Sequence, residues 1–270
     1  QEDTISGQEL CLVLYEQGVL SKEDELYQSL ASGQIDSYTF MYRKIANLEI
    51  TPAQLALAPC SASAVLTDVE TGDVLACVSY PGYDNNRLTN NMDTDYYAKL
   101  STDLSSPFFN KATQQRTAPG STLKILSTVA GMSEGVIDDN TYIECTGSFD
   151  LVTPPINCWN KQGHSALEIR GAIEQSCNVF FSTIGFELGK DSEGNFSEAR
   201  SLGMLQKYAS LMGLDRKTGI EISEASPQVS DKNAVPSYIG QGTNMFTTSQ
   251  LARYATTIAT SGEIGRASCR

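Results

Sequence analysis

Pro119-Gly120-Ser121-Thr122-Leu123-Lys124-Ile125-Leu126 is the stretch on which the reading of this 270-residue chain turns. Proline and glycine break the chain, and the apolar run after them, Ser121 to Met132, reads as a largely buried helix. Ser121 then stands at a helix N-terminus, where backbone N–H groups are free and the partial charge is positive. A spacing of three puts Lys124 on the same face, with Ile125, Leu126 and Val129 burying the helix behind them. Burial and the helix-end field both disfavour an ammonium, so Lys124 can serve as a neutral base. A serine hydroxyl needs such a base to attack a carbonyl, and the Ser121 N–H can help hold the resulting oxyanion. Taken alone the motif is weak. About one Ser-x-x-Lys is expected by chance in a chain this long, and a polar helix start with a solvated lysine reads the same way.

A second element, Ser176-Cys177-Asn178, lies 176 − 121 = 55 residues further on, at the junction of two predicted helices. Asn178 by itself reads equally as a helix cap. In a serine-lysine site, Ser176 can relay a proton between Lys124 and a leaving amine, and Asn178 can bind a substrate amide.

Around these motifs the pattern is mostly helical. Residues 7–57 read as helices, with Thr51-Pro52 as N-cap and first helical position. Ala62 to Asp68 and Val74 to Tyr80 read as a hairpin turning through 69–73, and 81–111 reads as loop, rich in Asn, Asp and Ser. Ser165 and Glu168 form a capping-box pattern for a helix to about Gln175, another helix runs from Val179 to near Gly189, and Thr247 with Gln250 opens a last one ending by Gly262. No repeat is visible.

Composition sets limits. Hydrophobic residues make up 40% and charged residues 19%, as in a folded globular chain. A net charge of −13 without a Lys/Arg cluster argues against nucleic acid as a partner. No apolar run is long enough to span a bilayer and no signal-like start is present, although the chain opens at Gln1 rather than Met. Seven Cys without a C-x-x-C pair, and a single His, make a zinc site improbable and leave the metal expectation at none. Cys145 and Cys158 read either as an exported disulfide or as two small buried thiols. The tail 263–270, Glu-Ile-Gly-Arg-Ala-Ser-Cys-Arg, resembles one frame of a sequencing-adapter oligonucleotide and is set aside, leaving six Cys.

The ordered pair Ser121-x-x-Lys124 and Ser176-x-Asn178 resembles the penicillin-binding protein and serine β-lactamase signature, with Cys177 at the position of the usual Asp. The surroundings are similar to the class B penicillin-binding proteins: Ala64-Val65-Leu66-Thr67-Asp68, Thr71-Gly72-Asp73-Val74-Leu75-Ala76, Ser79-Tyr80-Pro81-Gly82-Tyr83, Asn110-Lys111-Ala112, Cys158-Trp159 before Gly163-His164, and Ile239-Gly240-Gln241-Gly242. The resemblance runs from about Ser61 to Gly262. Its third motif is out of place: Lys217-Thr218-Gly219 precedes the Gly-Gln-Gly segment, whereas the family's active-site Lys-Thr-Gly follows it, so it reads as a decoy. The family's strand would then fall beyond a C-terminal truncation, leaving this fragment nearly inactive.

The resemblance implies an α+β fold of the penicillin-binding transpeptidase and β-lactamase type, an antiparallel sheet flanked by helices with an all-α subdomain, its later strands missing. It implies a helical lead-in over 1–58 and a transpeptidase domain over 59–262. The implied reaction is serine acyl transfer on peptidoglycan stem peptides ending D-Ala-D-Ala, without a cofactor, with β-lactams acylating Ser121. Ser121, Lys124 and Ser176 are the implied catalytic residues and Asn178 the substrate-binding one. A membrane anchor absent from this chain, an extracytoplasmic catalytic domain and cell-wall synthesis proteins as partners follow from the same likeness, and residues 158–164 lean toward the elongation type. The alternatives are a penicillin-sensing receptor domain and a serine β-lactamase. Two further candidates are set aside: Gly131-Met132-Ser133-Glu134-Gly135 ends a helix instead of forming a nucleophile elbow, and His164 reads as a local turn or cap residue.

Overall fold

The computed structural model describes residues 6–47, 49–50, 61–263 and 265. The chain divides into two compact units, Gln1–Ser61 with Pro81–Phe108, and Ala62–Tyr80 with Phe109–Arg270. In the first, α1 (Gly7–Glu16), α2 (Glu25–Ala31) and α3 (Ser37–Ala46) each begin on a capping oxygen: Ser6, Asp24 and Asp36 accept from the N–H of Glu9, Leu26 and Thr39. Leu14, Tyr15, Leu30 and Phe40 bury together as its core. The helix start read at Thr51-Pro52 lies outside the described residues.

The stretch 81–111 is not the loop expected of it. It forms a 3₁₀ turn at Asn85–Leu88 and a helix, α4 (Thr94–Thr102). Asp84 and Asp93, which read as loop formers, are the caps of these two elements. Short polar side chains favour caps as strongly as turns, and composition alone does not separate the two.

The second unit opens with the expected hairpin, β1 (Ala62–Thr67) antiparallel to β2 (Val74–Tyr80), Ala62 facing Tyr80. The Asp68 carboxylate accepts from the N–H groups of Glu70 and Thr71 to shape its turn. Then come a 3₁₀ turn at Gly120–Leu123 running into α5 (Lys124–Ser133), and four short strands, β3 (Ile143–Cys145), β4 (Ser148–Phe149), β5 (Ile156–Asn157) and β6 (Ser165–Leu167), paired β3 with β6 and β4 with β5. The chain ends in helices α6 (Ile169–Glu174), α7 (Asn178–Leu188), α8 (Glu198–Leu211), α9 (Ala234–Ser237) and α10 (Thr248–Ala259).

The α+β expectation is met, with one local correction. Ser165 lies in β6, and Glu168 itself caps α6 by accepting from the N–H groups of Arg170 and Gly171, so the Ser165/Glu168 box does not form. A carboxylate three residues too far along can still satisfy the first free N–H groups. The Thr247/Gln250 box does form. At the centre of the unit α7 buries Val179, Phe180, Phe181, Ile184 and Leu188 against Leu123, Leu126 and Ala130. Apolar on nearly every face, α7 is a core helix. α7 itself begins at Asn178, and α5, packed against it, begins at Lys124.

Candidate active site

Ser121 occupies the second position of the Gly120–Leu123 3₁₀ turn, and Lys124 begins α5. In a 3₁₀ turn the side chains at i and i+3 eclipse, so the two groups share a line more closely than in an α-helix. The turn is held from outside by the Gly240 carbonyl, which accepts from the Gly120 N–H at 3.0 Å. Gly240 has φ +76°, and a Cβ there would run into the Gly120 carbonyl oxygen, so only glycine permits this approach. The Gly-Gln-Gly segment noted in sequence therefore braces the turn that carries Ser121.

Ser176 arrives by a different device. α6 ends in a Schellman pattern: Cys177 N–H donates to the Ala172 carbonyl and Ser176 N–H to that of Ile173. Ser176 fills the left-handed position, φ +48°, that glycine usually takes. A serine there costs on the order of 1 kcal/mol of backbone strain, a cost tolerated where the side chain is needed. Its hydroxyl donates to Ser121 Oγ at 3.0 Å. Lys124 Nζ donates to Ser176 Oγ at 3.0 Å, to the Ser176 carbonyl at 2.7 Å and to Asn178 Oδ1 at 2.8 Å.

All four residues singled out in sequence thus meet, with one rearrangement. The path from Lys124 to Ser121 runs through Ser176. Asn178 is anchored on its other side, Nδ2 donating to the Asn157 carbonyl at 3.0 Å, which leaves a second amide hydrogen for substrate. Lys124 is buried, and burial lowers its pKa to about 8; the thiols of Cys158 and Cys177 pull the other way. Its three acceptors are neutral oxygens, which hold the ammonium less firmly than a carboxylate would. Ser121 stays exposed at the mouth.

Residues 62–267 match the penicillin binding protein transpeptidase domain. The chain belongs to that family. It is 32% identical over 170 residues to the peptidoglycan D,D-transpeptidase MrdA of Escherichia coli strain K12, an alignment covering 62% of this chain and 25% of the relative. To the peptidoglycan D,D-transpeptidase PbpA of Mycolicibacterium smegmatis it is 29% identical over 212 residues, covering 76% and 42%. Penicillin-binding protein A of M. tuberculosis, solved as its penicillin G acyl-enzyme, superposes with a TM-score of 0.66 at 25% identity, over 78% of this chain and 48% of that one. Helicobacter pylori PBP2, solved in complex with MreC, gives a TM-score of 0.68 at 24% identity over 76% and 39%, a likeness of fold. The chain spans about a quarter of the length of the MrdA relatives it matches.

In this transpeptidase domain Lys217-Thr218-Gly219 lies in no strand. The Glu224 carboxylate accepts from both the N–H and the hydroxyl of Thr218, while the Arg253 guanidinium donates to the carbonyls of Gly213, Arg216 and Lys217. These bonds give the segment a structural role of its own.

One cluster in the transpeptidase domain has metal-binding donors that the sequence reading passed over. Cys145, Cys158, His164 and Cys177 bring one ligand atom each to within 4.8 Å of one another. The strand ends gather them. Cys145 closes β3, its carbonyl accepting from the His164 N–H, and Cys158 N–H donates to the Gly147 carbonyl. Gly163 has φ +86°, and a Cβ there would strike the Cys145 carbonyl oxygen. His164 Nδ1 lies 3.5 Å from Cys145 Sγ and 3.6 Å from Cys158 Sγ. A tetrahedral zinc with ordinary Zn–S and Zn–N lengths separates such atoms by about 3.6 Å. The donor set suits a closed, structural S₃N site, and the two His164–thiol distances match it, while the cluster as a whole spreads over up to 4.8 Å and would have to draw in around an ion. Cys145 and Cys158 are free thiols here, not a disulfide. Burial would raise the Cys158 thiol, but the N–H groups of Asn178, Asn160 and Val179 outweigh it and hold its pKa below the usual range; burial pushes Cys177 up to about 12. The available signal was positional: three of the seven Cys and the only His fall between 145 and 177.

Proposed function

We propose that this chain carries the acylating residues of a peptidoglycan D,D-transpeptidase, with Ser121 as nucleophile. The observation that carries the reading is the unbroken hydrogen-bonded line Ser121–Ser176–Lys124, ending on an amine whose pKa burial lowers to about 8. Once Lys124 has lost its proton the two hydroxyls turn, Ser121 donating to Ser176 Oγ and Ser176 to Lys124 Nζ, the reverse of the donation seen with the ammonium. The Ser121 proton then passes to Ser176 Oγ while the Ser176 proton passes to Lys124 Nζ. Ser121 Oγ then bonds the penultimate carbonyl carbon of a stem peptide ending D-Ala-D-Ala, and the Ser121 N–H meets the developing oxyanion. The tetrahedral species collapses with cleavage of the C–N bond. The proton returns from Lys124 through Ser176 to the departing D-Ala amine. An amine from a neighbouring peptide takes the acyl group by the reverse path. Asn178 orients the substrate amide. Penicillins enter the same first step, but their cleaved amide stays tethered.

By likeness to MrdA and to the PBP2 solved with MreC, the intact protein works at the cell membrane, catalytic part outside, within a cell-wall synthesis assembly. No helix among the described residues is long and apolar enough to cross a membrane.

A fluorescent penicillin tests this reading, applied to the 270-residue chain and to the full-length protein, each with its Ser121→Ala variant. A stable label on full-length protein that disappears in Ser121→Ala is the outcome the reading requires. Label that survives Ser121→Ala defeats it, and rapid release of the label points to a β-lactamase.

A further inference from the structure

Neither the Gly120–Leu123 turn nor α5 has a side-chain cap of its own. The first N–H groups of a helix need partners, and here one partner comes from 128 residues away. The hydroxyl of Tyr254, on α10, accepts from the Leu126 N–H at 2.9 Å and donates to the Thr122 carbonyl at 3.2 Å. In an uninterrupted α-helix that N–H and that carbonyl bond each other directly. The phenol is therefore wedged into the helix ladder, replacing one bond by two. A hydroxyl has one proton and two lone pairs, enough for both.

The wedge has a geometric consequence. It keeps 122 and 126 apart at the point where the 3₁₀ turn passes into α5, so the segment carrying Ser121 is not drawn into α-geometry. Tyr254 is buried, and burial raises the pKa of its phenol, so its proton stays available at every pH of interest.

We infer that the Tyr254 hydroxyl is a positioning residue for acylation, holding the Gly120–Leu123 turn in the 3₁₀ form that aligns Ser121 Oγ with the Ser176–Lys124 pair. The inference rests on Ser121 being the nucleophile, and its test separates the two. Tyr254→Phe keeps the ring and removes the wedge. On the form of the protein that labels, the maximal acylation rate of Tyr254→Phe falls about 10- to 100-fold, the half-saturating penicillin concentration staying within about twofold. Tyr254→4-aminophenylalanine, which retains a donor and an acceptor at that place, restores the rate to within about threefold. A merely structural tyrosine would lower the urea midpoint and the folded fraction while each folded molecule acylated at the wild-type rate.

Backbone ¹³C shifts of residues 121–126 give a readout that needs no labelling. They move toward α-helical values in Tyr254→Phe. Unchanged shifts, or an unchanged maximal rate in the folded variant, overturn the inference. Should Tyr254→Phe fail to fold, the 4-aminophenylalanine variant decides: retained rate and shifts support the wedge, and a rate lost with native shifts overturns it. If wild-type protein does not label at all, the Ser121 reading falls, and the shifts alone judge the role of Tyr254.

Discussion

Two lysines in this molecule are equally closed to solvent and have opposite fates. Lys44, in the first unit, and Lys124, in the second, are each 3% exposed. Lys44 Nζ lies 2.5 Å from Asp24 and 2.5 Å from Glu49. Burial alone would lower its pKa, but the two carboxylates outweigh that and raise it. Among the described residues no carboxylate lies within ion-pair distance of Lys124, and its pKa falls to about 8. Neither side chain is open to solvent. Lys124 is the more deeply packed and has no counterion, and the two differences together decide which lysine is a structural cation and which can be a base.

The largest way to break this contrast is Lys124→Arg. A guanidinium keeps its charge at any working pH and cannot take the Ser121 proton. Acylation falls by roughly 10⁴-fold, the upper range for general-base catalysis, with the fold intact by circular dichroism. In wild type the rate rises about tenfold per pH unit up to about 8 and then levels, because the neutral amine is the active form. A flat profile from pH 6 to 9 would remove Lys124 as the base. Cys158 and Cys177 are the titratable groups acting on Lys124, so the profile is repeated in Cys177→Ser to separate their contribution.

Lys44→Met acts on the other side of the comparison. It leaves the half-buried Asp24 with only the Tyr15 hydroxyl and the Leu26 N–H, and costs up to about 3 kcal/mol. The loss is read as a lower urea midpoint by circular dichroism, while the fluorescence transition of Trp159, which lies in the second unit, and the acylation rate stay as in wild type. The pH dependence runs opposite to that of Lys124. Because the folded pKa of Lys44 is raised, its stabilisation is complete below the unfolded value of about 10.4 and is lost as pH climbs through the folded one. Asp24, whose folded pKa is lowered, contributes above about 3.9 and loses its contribution as pH falls through its folded value.

How far the sequence reaches follows the same division. Ser121, Lys124, Ser176 and Asn178 are legible because each sits at a helix end with a recognisable break beside it, and the 62–80 hairpin and the Thr247/Gln250 box are legible because their bonds are local. The carboxylates of Lys44 are hidden, one lying 20 residues before it and the other five after it, with no periodic pattern to join them. α4 is hidden by the polar residues that cap it. The thiol cluster is hidden because β3, β6 and the Schellman turn bring together positions that no one-dimensional zinc spacing describes. The wedge of Tyr254 is out of reach for the same reason. Chemistry carried by local geometry can be read from the string; chemistry carried by pairing has to be seen.

That cluster offers the smallest effect and the finest test of the two units' independence. Three thiols and an imidazole gathered within 4.8 Å are a donor set that takes cobalt as a visible stand-in for zinc, so Co²⁺ should bring a near-ultraviolet thiolate charge-transfer band that Cys177→Ser weakens. An ion bound only by the folded state stabilises it by about 2.7 kcal/mol at a hundredfold excess over Kd. The gain belongs to the second unit, where all four ligands lie, so it moves the Trp159 transition upward; Trp159 packs at a tilt against His164, 5.0 Å between ring centroids, and reports it directly. The transition of the first unit, held by Lys44, does not move. A chelator reverses the shift. Binding without the charge-transfer band would place the metal elsewhere, and a band with no change in the Trp159 transition would mean that the cluster takes metal without holding the fold around Ser176 and Asn178 together.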